Sequence, residues 1–113
     1  MQNKIHYSET FIKKARFYKK KYASLIGDLK ILEESLLDNP KQGNNLGGGL
    51  YKVRLAVQSK GKGKSGGFRV VTYLINEEDD SISITMITLY DKSEESTIDK
   101  KHLQKIIKEL FNE

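Results

Sequence analysis

The apolar spacing of this chain changes period at Asn39-Pro40. Before it, Tyr22, Leu25, Ile26, Leu29, Leu32, Leu36 and Leu37 recur at intervals of three and four, marking one face of a helix. After it, Tyr51, Val53, Leu55 and Val57 alternate with Lys52, Arg54, Ala56 and Gln58. Period two with one wet face is the pattern of a half-buried antiparallel strand. Helices followed by strands predict an α+β fold. The proline sets the boundary, because its ring disfavours helical geometry in the residue before it.

The remaining elements fall on either side of that switch. Ile5 to Ser8 suits a short edge strand. From Glu9, the residues Phe11, Ala15 and Tyr18 share a helical face, with Lys13, Lys14, Arg16, Lys19 and Lys20 mostly elsewhere. The N-terminal part therefore reads as a helical hairpin or one bent helix. Gln42 to Gly49, rich in Gly and Asn, reads as a loop that packs against the sheet edge or contacts a partner. Phe68 to Ile75 is a more continuously apolar run and suits a central strand covered on both faces, or with one face covered by a partner. Glu77 to Asp80 is an acidic turn, and Ile82 to Leu89 is a third main strand rich in β-branched residues. The connections allow an antiparallel meander. A C-terminal helix follows, with Ser96 as N-cap, Asp99 as its capping-box partner, and Ile98, Leu103, Ile106, Ile107 and Leu110 as the apolar stripe. Residues 1–113 read as a single domain, with no linker or repeat.

Composition narrows the chemistry. There is no cysteine, which excludes disulfides, thiolate catalysis and Cys-based zinc sites. His6 and His102 are far apart, so neither a metal nor another cofactor is expected. No signal peptide or bilayer-length apolar run is visible, so no membrane partner is expected and the cytoplasm is the default location. The formal charge of +5 points to an anionic partner without naming it.

Placement of that charge is more specific. Between Asp38 and Glu77 there is no acidic residue, and seven basic ones lie there: Lys41, Lys52, Arg54, Lys60, Lys62, Lys64 and Arg69. Alternation puts Lys52 and Arg54 on one strand face, opposite Tyr51, Val53 and Leu55. Arg69 opens the neighbouring strand, and Lys62 and Lys64 lie in the turn between. In a meander the third strand runs parallel to the first, bringing Tyr90 and Lys92 to the same rim as Lys60. Such a cluster supports three readings: a solvated turn, a charge-only contact to nucleic acid, or metal-free RNA cleavage. In the third, crowding among cations lets a lysine accept a proton from a ribose 2′-OH. Arg69 and a lysine then stabilise the charge on the attacked phosphate, and an acid protonates the leaving 5′-oxygen.

The ordered segments YKVRLAVQSKGKGKSGGFRVVTYL, LGGGLYKVR and ITLYDKSE, with the helical region FIKKARFYKKKYASLIGDLKILEESLLDNPKQG, resemble the RelE/ParE superfamily of bacterial toxins. The HigB-like branch, with its Lys/Gly-rich insertion, is the most similar, and the resemblance runs from about Tyr7 to Leu110. It implies a compact sheet flanked by helices. It also implies an endoribonuclease that cuts translated mRNA in the ribosomal A site and so inhibits translation. The implied partner is an antitoxin with a helix-turn-helix domain, HigA-like, through which alone the complex meets DNA. By position in the motif, Lys52 and Arg54 match two basic positions of the first main strand. Arg69 matches a phosphate-binding arginine, and Lys92 falls where relatives carry an arginine. Lys62 and Lys64 lie in an insertion that many relatives lack and are assigned by position, and Tyr90 is the nearest candidate for a tyrosine that some relatives carry near the chain end, at a different position. The implied catalytic set is thus Arg69, Lys62, Lys64, Lys92 and Tyr90, and the charge pattern adds Lys60 and Lys41 to Lys52 and Arg54 for RNA binding. The superfamily also contains ParE-like toxins that inhibit DNA gyrase, and one fold serves both activities. A ribosome- or RNA-binding protein without catalysis is the third possibility.

Overall fold

In a computed structural model, which describes residues 2–61, 67–94 and 99–111, helices lie on both faces of one five-stranded sheet. In chain order the elements are β1 (Lys4–Tyr7), α1 (Glu9–Lys19), α2 (Leu25–Asp38), β2 (Asn44–Gly47), β3 (Leu50–Leu55), β4 (Phe68–Asn76), β5 (Ile82–Asp91) and α3 (Lys100–Phe111). The strand order is β1-β5-β4-β3-β2. The expected meander of β3, β4 and β5 is antiparallel, and β1 adds a parallel edge along β5. That parallel pairing spans almost the whole chain, so no local pattern announces it.

Each helix forms for a reason visible in its ends and its stripe. Ser8 caps α1 by accepting the Phe11 N–H at 2.9 Å, which satisfies a backbone donor with no partner inside the helix. The apolar stripes of α1 and α2 cover one sheet face. Phe11, Tyr18, Leu25, Leu29 and Leu36 pack there against Val53, Leu55, Phe68, Val70, Ile84 and Leu89. Phe68 sits at the centre of this layer, with the Tyr18 ring edge-on at 4.7 Å and the Tyr22 ring at 5.5 Å. Full burial of a side chain such as Phe68 or Leu36 contributes about 1.5–3 kcal/mol.

The opposite sheet face is only partly covered. Leu103 and Ile106 of α3 pack on Leu50, Val71, Ile87 and Tyr90. Lys52, Arg54 and Arg69 stand on the same face beyond that patch, as the pairings Leu50↔Tyr73, Lys52↔Val71 and Arg54↔Arg69 require. At the start of α3, the Asp99 side chain accepts the Lys101 N–H at 3.1 Å. Ser96 and Ile98 lie outside the described residues.

The Gln42 to Gly49 segment departs from its reading as a loop. Asn44–Gly47 pairs with β3 as an edge strand, in which Asn44 faces Lys52. Gly43 makes that approach possible. It adopts φ +89°, and a Cβ there would be driven into the Lys52 carbonyl group. Gly43→Ala should therefore lower stability by more than about 1 kcal/mol, read from the midpoint of urea unfolding.

Candidate nucleic-acid interface

Three strand positions and one turn bring four cations together. Arg54 and Arg69 are directly opposed across β3 and β4, and Lys52 lies two residues away on the same face. Lys92 follows the end of β5, where its backbone N–H bonds the Gly67 carbonyl at 3.0 Å. These four, with Gln42, Gly43, Asn44 and Val53, line a cleft of about 440 Å³, and among the described residues its lining holds no carboxylate and no imidazole. Like charges directly opposed on a sheet face destabilise it unless an anion sits between them. Four cations gathered on one cleft favour an anion such as a phosphate.

Arg69 is the most constrained of the four. It is only 7% exposed, and its guanidinium donates to the Phe68 carbonyl at 3.2 Å. A planar cation held in one orientation at the edge of a low-dielectric layer suits bidentate contact to phosphate. Arg54 is exposed and Lys52 half-buried, and neither enters an ion pair among the described residues. The far wall is tied to α2, since the Gln42 amide donates to Ser35 Oγ at 2.8 Å and to the Asn39 carbonyl at 3.0 Å. Gln42, Gly43 and Asn44 were invisible to periodicity as site residues, although the expected packing of their segment on the sheet edge pointed that way.

Two sequence-assigned residues are placed elsewhere. Lys60 does not reach the cleft. A 3₁₀ turn at Gln58–Lys60 folds its side chain back, so that Nζ lies 3.2 Å from Asp91 Oδ1 and 5.9 Å from the centre of the Tyr22 ring. The ion pair holds Lys60 at the end of β5, away from the cleft lining. Tyr90 is the cross-strand partner of Arg69, yet it is fully buried in the layer beneath α3. A register shift, in which Val71 pairs with Thr88 but Thr72 pairs with Met86, puts Tyr90 on the same face as Arg69, and Leu103 and Ile106 of α3 cover it there. Ile87 is the extra residue. It turns Tyr90 toward α3 and Asp91 toward the opposite layer. The described lining of the cleft does not include Tyr90. Lys41 is exposed beside Gln42 without lining the cleft. Lys62 and Lys64 lie outside the described residues.

Asp91 is the polar hub of this end of the sheet. Fully buried, it accepts from Ser93 N–H at 2.9 Å, Ser93 Oγ at 2.7 Å and Tyr22 OH at 3.1 Å, besides pairing with Lys60. Burial pushes its carboxyl up, but the Ser93, Lys60 and Tyr22 hydrogen bonds outweigh that and hold it below the ordinary carboxylate value. A depressed carboxylate contributes stability above its unfolded value of about 4 and loses it as the pH falls through the lower folded value. The stability difference between the parent and Asp91→Asn should therefore be full at neutral pH and shrink below about pH 4. Urea unfolding at several pH values checks this.

Among the described residues, no group of three or more His, Asp or Glu side chains is placed to hold a metal ion, and no helix is long and apolar enough to cross a membrane.

A family model described as the RelE toxin of the RelE/RelB toxin-antitoxin system matches residues 3–112. Among solved structures, a double mutant of the E. coli toxin RelE in the free state is similar in fold. It aligns over 98% of this chain and 100% of its own, with a TM-score of 0.60 at 15% sequence identity.

Proposed function

This chain belongs to the RelE toxin family of toxin-antitoxin systems, and from that premise we propose that it is a ribosome-dependent endoribonuclease of the HigB-like branch. It cuts translated mRNA in the A site and acts in the cytoplasm. The observation that carries this reading is the cleft lined by the four cations Lys52, Arg54, Arg69 and Lys92. A cleft of that charge and size suits a nucleotide phosphate, and Arg69 is already fixed at its edge.

The proposed reaction needs no metal. The mRNA backbone lies across β3 and β4, with Lys52 and Arg54 on flanking phosphates. A ribose 2′-oxygen attacks the adjacent phosphorus, the bond to the 5′-oxygen breaks, and the products are a 2′,3′-cyclic phosphate and a 5′-hydroxyl. Arg69 stabilises the added charge on the phosphate in the transition state. Lys92, with Lys62 and Lys64 from the Lys/Gly-rich insertion, takes the 2′-proton and supplies one to the leaving oxygen. The antitoxin partner is proposed to be a HigA-like helix-turn-helix protein, and DNA is met only through it.

The test is cleavage of one mRNA by purified protein in a reconstituted translation reaction, with and without ribosomes. Cuts should appear only on translated message. A ParE-like toxin would leave the message intact and inhibit DNA gyrase, and a non-catalytic binder would leave both untouched.

A further inference from the structure

The outer face of α1 carries an exposed aromatic inside a ring of lysines. Phe17 is 66% exposed, and its ring contact is edge-on to Tyr18 at 5.2 Å. On a helix its neighbours are the residues three and four away on each side. Lys13 and Lys14 hold those positions within α1, and Lys20 and Lys21 continue the spacing in the turn just past its end. Lysines near a helix C-terminus are explained by the helix dipole alone. An exposed phenyl ring among them is not, since it leaves apolar surface in water and contributes nothing to the core.

The patch also lies at the cleft-bearing end of the sheet. Lys21 pairs with Glu94 at 3.7 Å, and Tyr18 OH donates to the same carboxylate at 2.9 Å. Glu94 is two residues beyond Lys92, which lines the cleft. The C-terminal end of α1 is therefore tied to the turn that delivers Lys92, but on the other side of the sheet. Lys13 is loosely paired with Glu9 at 3.8 Å, whereas Lys14 and Lys20 enter no ion pair among the described residues.

We infer that Phe17, with Lys13, Lys14, Lys20 and Lys21, is a second RNA-binding site that stacks an unpaired base of ribosomal RNA. Sequence-tolerant binding of single-stranded nucleic acid combines an aromatic platform with flanking cations, and this patch supplies both. Ribosomal RNA is the source because mRNA in the cleft occupies the opposite sheet face, so α1 meets the walls of the site that surrounds it. The inference rests on the proposed ribosomal activity. It gives the toxin a grip on the ribosome separate from its grip on the message.

The experiment measures binding of the full chain to purified, mRNA-free ribosomes. Phe17→Ala should weaken it roughly five- to a hundredfold, for one base stack of about 1–3 kcal/mol. Phe17→Tyr should restore most of it. Lys14→Glu with Lys20→Glu should weaken binding and flatten its salt dependence. Phe17 is exposed, so the variants should fold, and circular dichroism verifies that. Unchanged ribosome binding by Phe17→Ala would overturn the inference. So would unchanged ribosome binding with weakened antitoxin capture, which would assign the patch to a protein partner. If the parent binds ribosomes through Phe17 but cuts no message, the second site stands and the nuclease reading falls.

Discussion

Arg69→Ala should reduce mRNA cleavage about a hundred- to a thousandfold while leaving the protein folded. Loss of one preorganised donor to a developing oxyanion has an effect of that size. The fold should tolerate the change, because Arg69 lies opposite Arg54 and belongs to neither apolar layer. Arg69→Lys separates charge from geometry. It keeps the positive charge and loses the planar fork, so it should recover only part of the rate. Rates on translated message, with thermal unfolding of each variant, check both halves. A folded Arg69→Ala protein that cuts at the parental rate would remove Arg69 from the reaction.

The second large effect is on stability. Asp91→Asn should destabilise the fold by about 3 kcal/mol, because it leaves the Lys60 ammonium beside a neutral amide in a site where both groups are nearly inaccessible. For a domain of this size that is a fall in melting temperature of roughly 10–20 °C. Replacing both partners, Lys60→Met with Asp91→Asn, should recover part of the loss. A buried pair removed together leaves no stranded charge. Scanning calorimetry of the single and double variants measures the coupling. Cleavage by the Lys60→Met single variant should survive below its melting temperature, since Lys60 does not reach the cleft.

Alternation made much of the site legible in the sequence. Lys52 and Arg54 had to share a face once Val53 and Leu55 were assigned to the core, and Arg69 had to join them once β4 paired with β3. Tyr90 shares that face as well, as the cross-strand partner of Arg69, but α3 covers it there, and nothing in the strand pattern says where α3 docks. Lys60 was misplaced for a different reason. Charge pattern treats a lysine beside a basic loop as part of that loop, whereas a single 3₁₀ turn sends it to Asp91. Asp91 itself lies within ITLYDKSE, but only its burial and its bonds to Ser93, Tyr22 and Lys60 show what it holds together.

The edge strand β2 was missed because Asn and Gly carry no hydrophobic period. Its evidence is steric, in the close approach of Gly43 to Lys52, and becomes visible only with the backbone in place. The parallel β1–β5 pair was missed because a short strand does not declare a partner so distant in sequence.

The central claim is that this chain cuts mRNA on the ribosome. The most direct measurement is genome-wide mapping of RNA 5′ ends during induced expression, with Arg69→Ala as control. The account predicts new 5′-hydroxyl ends inside translated frames, in phase with codons, absent from untranslated RNAs and absent with Arg69→Ala. Intact transcripts accompanied by DNA damage, or cuts without regard to reading frame, would contradict it.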